Sequence, residues 1–239
     1  MSEIVMNDKK YRSIILDTIN GVQNKLYLRH LKDVGKANYD MWRDYGTEIL
    51  DLYDWMKRLD DVVLVQVLGH EGTGKTVGGS FLNPEETAWL NADGKPLTFF
   101  GARNKYPIDN SKKNYKEVED YETVKKQIFG IHGKRKGTLI IFINGHIEDY
   151  KAEAGEIRQR LRILGKMATK LGVEGLNLSH TYYTKVDANL PHTDVNRYKL
   201  TTANSGYNTA RSPQGYWEQY EISNNYQTIV DRILEDYGN

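Results

Sequence analysis

Residues 62–69 read Val-Val-Leu-Val-Gln-Val-Leu-Gly, a β-branched and nearly uninterrupted apolar run that ends on glycine. A strand of this kind is buried on both faces, which requires a sheet covered by helices on either side. Other short runs repeat the pattern: Arg12–Ile19, Thr87–Asp93, Thr138–Asn144, Leu176–Thr184 and Arg197–Ala203. Helical periodicity falls between and after them. It sets Ile49, Leu52, Tyr53, Met56 and Leu59 on one face over 47–59. It sets Ile157, Leu161, Leu164, Ala168 and Leu171 on one face over 153–171. It sets Tyr226, Ile229, Val230, Ile233 and Tyr237 together in a final segment that stops at Gly238. Strands alternating with helices predict an α/β fold, a three-layer αβα sandwich around a mostly parallel sheet. The stretch from Gly94 to Lys116 is polar and reads as a long loop or insertion. No linker divides the 239 residues, so one domain over 1–239 is expected.

Composition narrows the chemistry. Lys plus Arg (33) balance Asp plus Glu (32), so any basic surface must be local. Without cysteine there is no disulfide framework, thiol nucleophile or Cys-based zinc site. The first ten residues lack the apolar core of a signal peptide, and no run approaches the ~20 apolar residues of a membrane span. The expectation is a cytoplasmic protein without a membrane partner.

The glycine at the end of the 62–69 strand opens Gly69-His70-Glu71-Gly72-Thr73-Gly74-Lys75-Thr76, a match to G-x-x-x-x-G-K-[ST], with Val77 following. Strand, loop and helix in that order form an anion nest. Glycines let successive backbone N–H groups turn inward on phosphate. Lys75 would bridge the β- and γ-phosphates and Thr76 would ligate Mg²⁺. The cofactors implied are ATP and Mg²⁺. The bland alternative is a glycine-rich turn with an exposed lysine.

Such a site needs a carboxylate at the end of a neighbouring apolar strand. Strand 138–144 ends in Asn144-Gly145-His146, whereas Ile14-Ile15-Leu16 runs into Asp17. Asp17 is therefore the candidate magnesium carboxylate, or else a cap on the following helix. Asp93 suits a group that polarises the attacking water, with Glu71 and Glu148 as rivals, or is a turn residue before Gly94. His146 is placed to sense the γ-phosphate or is structural, and no His/Asp/Glu spacing suggests zinc. Arg158, Arg162, Lys166 and Lys170 recur every four residues. On a helix they would form a basic stripe for single-stranded nucleic acid, or a solvated face balanced by glutamates. Lys105, Lys112 and Lys113 with Tyr106 and Tyr115 suit base stacking or a mobile loop. Arg211 is either an arginine finger across an interface or a surface residue.

Taken together, Ile-Ile-Leu-Asp17-Thr18-Ile, the 69–76 loop, Ile-Asn-Gly-His146-Ile-Glu-Asp and Thr201-Thr-Ala-Asn-Ser-Gly-Tyr-Asn-Thr-Ala-Arg211-Ser-Pro-Gln-Gly resemble phage-encoded RecA-like ATPases. These include small single-strand-annealing or recombinase-type proteins. The resemblance implies ATP hydrolysis, a homo-oligomer sharing its nucleotide site, single-stranded DNA and a single-strand-binding protein as partners, and the host cytoplasm. The order of motifs departs from the family, because Asp17 precedes the loop strand. A circularly permuted core would account for this, with residues 1–61 supplying the carboxylate strand and helices and 62–239 the remainder. That account places strand 12–17 beside strand 62–69. A nucleotide-dependent scaffold or packaging component with little turnover, and a small-molecule kinase, are the alternatives.

Overall fold

The computed structural model describes residues 10–135, 137–152, 155–162 and 178–237. In chain order the elements are β1 (Ser13–Asp17), α1 (Ile19–Val34), α2 (Tyr39–Lys57), β2 (Val62–Gly69), α3 (Lys75–Gly79), β3 (Thr87–Asn91), α4 (Ala102–Lys105), β4 (Tyr115–Glu117), α5 (Tyr121–His132), β5 (Leu139–Lys151), β6 (Ile157–Leu161), β7 (His180–Val186), β8 (Tyr198–Thr201), β9 (Glu221–Ser223) and α6 (Tyr226–Asp236). The sheet order is β4-β3-β1-β5-β2-β7-β8-β9, with β6 on the outer half of β5. The six strands from β4 to β7 are parallel, and β8 and then β9 extend the sheet beyond β7 in antiparallel pairing.

Alternation along each strand divides the core into two layers. Ile14, Leu16, Leu64, Leu68, Ile141 and Ile143 pack under α1, α2 and α5. Ile15, Val63, Val65, Val67, Ile140 and Phe142 face the other way, toward α6. Gln66 is the one polar residue inside β2, and its amide reaches the Tyr53 hydroxyl of α2 at 3.3 Å. Helix starts follow local chemistry. Thr18, Asn38, Asp120 and Asn225 each accept a backbone N–H in the first turn of α1, α2, α5 and α6. Among the described residues no helix is long and apolar enough to cross a membrane.

Three expectations fail. The 153–171 helix is absent from its described part: residues 157–161 form β6, antiparallel to Ile147–Lys151. Gly155 at φ 86° turns the chain just before it, and residues 157–161 take extended rather than helical register. Arg158, the first residue of the four-residue basic stripe, sits on that strand instead, and Arg162 follows it. Arg158 pairs with Glu156 at 3.0 Å, and Arg160 pairs with Glu148 at 2.9 Å over the Tyr150 ring. Arg162 uses its backbone N–H to cap His146 O at 2.8 Å, while Lys166 and Lys170 lie outside the described residues. Second, β1 does not lie beside β2. β5 pairs with both and separates them, so the permuted arrangement with adjacent strands is not what the chain adopts. Third, the 94–116 segment is pinned down. Tyr106 and Tyr115 are buried, and Asn114 donates to Pro84 O and Lys105 O at 2.8 and 2.9 Å. Neither tyrosine offers a stacking face.

Candidate functional site

Parallel strands deliver their C-terminal ends to one edge, and ligands in such sheets gather there. β1, β2 and β3 end, and the parallel-paired part of β5 gives way to its hairpin, around a cavity of about 390 Å³. Its lining brings together Asp17, Lys75, Thr76, Asp93 and His146, five residues singled out in the sequence, along with Glu71, Gly72, Gly74 and Val77 of the loop. Asp17 reaches Thr76 although β5 intervenes between β1 and β2, because the loop after β2 leads into α3 above the end of β1: the Thr76 hydroxyl donates to Asp17 Oδ2 at 3.2 Å.

The loop shape depends on glycine. Gly72 and Gly74 have φ of 75° and 93°, and a Cβ on Gly74 would lie 2.5 Å from the Tyr198 ring. Gly69 fits under Thr184, whose hydroxyl is 2.5 Å from that of Thr73. Thr73 also donates to His70 O at 2.7 Å, which braces the bend. The His70 imidazole turns to the opposite flank of the loop, 3.8 Å from Asp149. Lys75 is only 6% exposed, and its ammonium donates to Gly69 O and His70 O at 2.8 and 2.7 Å. Burial lowers its pKa to about 8, against the pull of Asp17 and other acids.

The carboxylates differ. Burial raises the pKa of Asp17, opposed by the hydrogen bond from Asn144, while nearby Asp93 adds to the rise. Burial also pushes Asp93 upward, but the His146 imidazole and the Thr18 hydroxyl outweigh it and hold the carboxyl below its usual range. Thr18 donates to Asp93 Oδ1 at 2.9 Å, and His146 Nε2 lies 3.9 Å from Oδ2, an ion-pair distance. The His146 backbone N–H donates to Asn20 Oδ1 at 2.7 Å.

The donor set fits magnesium carried in by a phosphate. Asp17 and Thr76 offer hard oxygens side by side at the cavity wall, and Mg²⁺ takes one or two such ligands plus substrate oxygens and waters. Among the described residues no group of three or more His, Asp or Glu side chains could hold a metal ion without such a substrate.

Other sequence candidates sit elsewhere. Arg211 joins β7 through backbone bonds with Thr181 at 2.8 and 2.9 Å and does not line the cavity. Glu148 is engaged with Arg160 on the β5–β6 hairpin, which removes it as a rival to Asp93. Sequence reasoning missed Thr18, Lys95 and Tyr198, which also line the cavity. Lys95, 3.7 Å from Glu71 at the mouth, follows Asp93 by two residues and was findable from that spacing. Tyr198 comes from the antiparallel strand β8, between β7 and β9, and carries no local signal. No family model matches the chain, and no curated protein or solved structure is similar to it.

Proposed function

We propose that the chain binds ATP with magnesium and hydrolyses it. The observation that carries this reading is the convergence of Lys75, Thr76 and Asp17 on one cavity at the mouth of a glycine loop. In this reading the backbone N–H groups of 72–76 and the Lys75 ammonium cradle the β- and γ-phosphates, and Lys75 exchanges its loop carbonyls for phosphate oxygens. Asp17 and Thr76 would hold magnesium, which would supply charge neutralisation on the phosphates. Asp93, kept ionised, accepts a hydrogen bond from the attacking water and orients it toward the γ-phosphorus. Water oxygen bonds to that phosphorus, the bond to the bridging oxygen breaks, and ADP and inorganic phosphate leave with the water protons. His146, beside Asp93, senses the departing phosphate.

A phosphate-release assay tests the reading. MgATP should be turned over by the wild type, and Asp93→Asn should bind nucleotide normally but release phosphate at least about tenfold more slowly, given the hundredfold scale of positioned bases. Equal turnover in both would remove Asp93 from the chemistry. The resemblance to RecA-like ATPases extends the proposal to a DNA-coupled oligomer. That extension rests on the motifs alone, and stimulation of phosphate release by single-stranded DNA is its test. A scaffold role predicts tight binding without turnover.

A further inference from the structure

Behind Asp17 runs a hydrogen-bond chain that hydrolysis itself does not use. Asn144 Nδ2 donates to Asp17 Oδ1 at 3.2 Å, and the Tyr226 hydroxyl donates to Asn144 Oδ1 at 2.8 Å. Asn144 and Tyr226 are wholly buried. Burying an amide and a phenol gains nothing over hydrocarbon of the same shape, since their hydrogen bonds offset desolvation only in part. The pair sits among apolar neighbours, with the Tyr226 ring stacked on Phe142 at 4.5 Å and 12°. Leucine and phenylalanine would fill that space.

The chain has a direction. An asparagine amide presents either its N–H₂ or its oxygen to a neighbour. Tyr226 donates to the oxygen end, so the donor end faces Asp17. The reverse orientation would set an oxygen against the carboxylate. One Asp17 oxygen is then engaged by Asn144 and the other is turned to Thr76.

The start of α6 also touches the loop half of the site. A Cβ on Gly78 of α3 would lie 2.3 Å from Tyr226 Cε1, so the ring presses directly on the helix that carries Thr76. Two residues earlier, Asn224 Nδ2 donates to Gly74 O at 2.7 Å. The C-terminal segment therefore contacts both halves of the cation site, the loop directly and Asp17 through Asn144.

We propose that Asn144 and Tyr226 are positioning residues that hold the Asp17 carboxylate aimed at the Thr76 hydroxyl, so that the cation affinity of the site is set from the C-terminal helix. The proposal rests on the reading of Asp17 as the magnesium carboxylate.

Binding of a fluorescent ATP analogue, titrated across Mg²⁺ concentrations and in EDTA, tests it without turnover. Tyr226→Phe keeps the ring and its stacking and removes only the hydroxyl. The Mg²⁺ concentration for half-maximal binding should rise about tenfold, the scale on which partners behind a metal ligand act. Affinity in EDTA should stay at the wild-type value. Asn144→Ala should repeat the effect, and the double variant should add little to either. A packing role alone would lower the melting temperature and leave the Mg²⁺ midpoint in place, and that result overturns the proposal. Asp17→Asn separates the two levels. If it raises the midpoint while Tyr226→Phe and Asn144→Ala do not, the positioning role is wrong and the Asp17 reading stands. If Asp17→Asn leaves the midpoint unmoved, the Asp17 reading fails, and this inference with it.

Discussion

The proposed phosphate site requires a charged Lys75, yet burial brings its pKa down to about 8 from 10.5. The difference of about 2.5 pH units corresponds to about 3 kcal/mol between the charged and neutral forms. The sign follows from proton counting. Between about pH 8 and about pH 10.5 the unfolded chain holds the proton and the folded chain does not, so stability rises with pH across that window. Below about pH 8 the fold carries the full cost of a buried ammonium, and phosphate relieves it. Binding therefore takes up a proton wherever the free lysine is neutral. At about pH 7 roughly nine-tenths of free sites are charged, and at about pH 9 roughly one-tenth. Affinity for ADP should fall about tenfold over that range, or about 1.4 kcal/mol. Equilibrium titration in buffers of different ionisation enthalpy reads both quantities, with uptake of nearly one proton per nucleotide at about pH 9. A flat affinity profile with no proton uptake would refute the buried-ammonium argument.

Other outcomes follow from the same geometry. Asp17→Asn should cut turnover about a hundredfold, the usual loss for one charge-stabilising group, while thermal melts show the fold unchanged or firmer because a buried charge is gone. Gly74→Ala meets both a φ of 93° and the Tyr198 ring, so it should cost about 1–3 kcal/mol in chemical denaturation and abolish nucleotide binding; Gly72→Ala, strained but with open space around it, should cost less. His180 is buried beside Tyr182 and Tyr216, and burial lowers its pKa to about 4. Its contribution is complete above about pH 6.5 and is lost as pH falls toward about 4, by about 3 kcal/mol in all. His180→Gln should flatten that part of a stability–pH curve.

The parallel centre of the sheet was legible because its strands are buried on both faces and so carry no polar alternation. Val62–Gly69 is assigned to the residue, and Ser13–Asp17 lies within the expected 12–19 run. That the candidate residues would gather was legible for a related reason: the proposed chemistry calls for strand-end carboxylates and a glycine loop, both local in sequence, and Asp17, Lys75, Thr76 and Asp93 line one cavity. What failed was long-range or balanced on one residue. The 153–171 periodicity is real in the letters, but Gly155 turns the chain and Leu161 then pairs with Ile147. Strand neighbourhood is not encoded locally at all, so β5 between β1 and β2 could not be foreseen. Nor could Asn144 as the partner of Asp17. In sequence it only marked the absence of an aspartate from that strand end.

Everything functional here hangs on phosphate seated against the Lys75 ammonium in the 69–76 loop. Calorimetric titration of MgATP into the wild type and Lys75→Ala tests this most directly. Saturable one-to-one binding in the wild type, weakened by at least about a hundredfold in the variant with its melting curve intact, is the predicted result. Equal affinity in the two proteins would contradict the assignment of the loop as a nucleotide site.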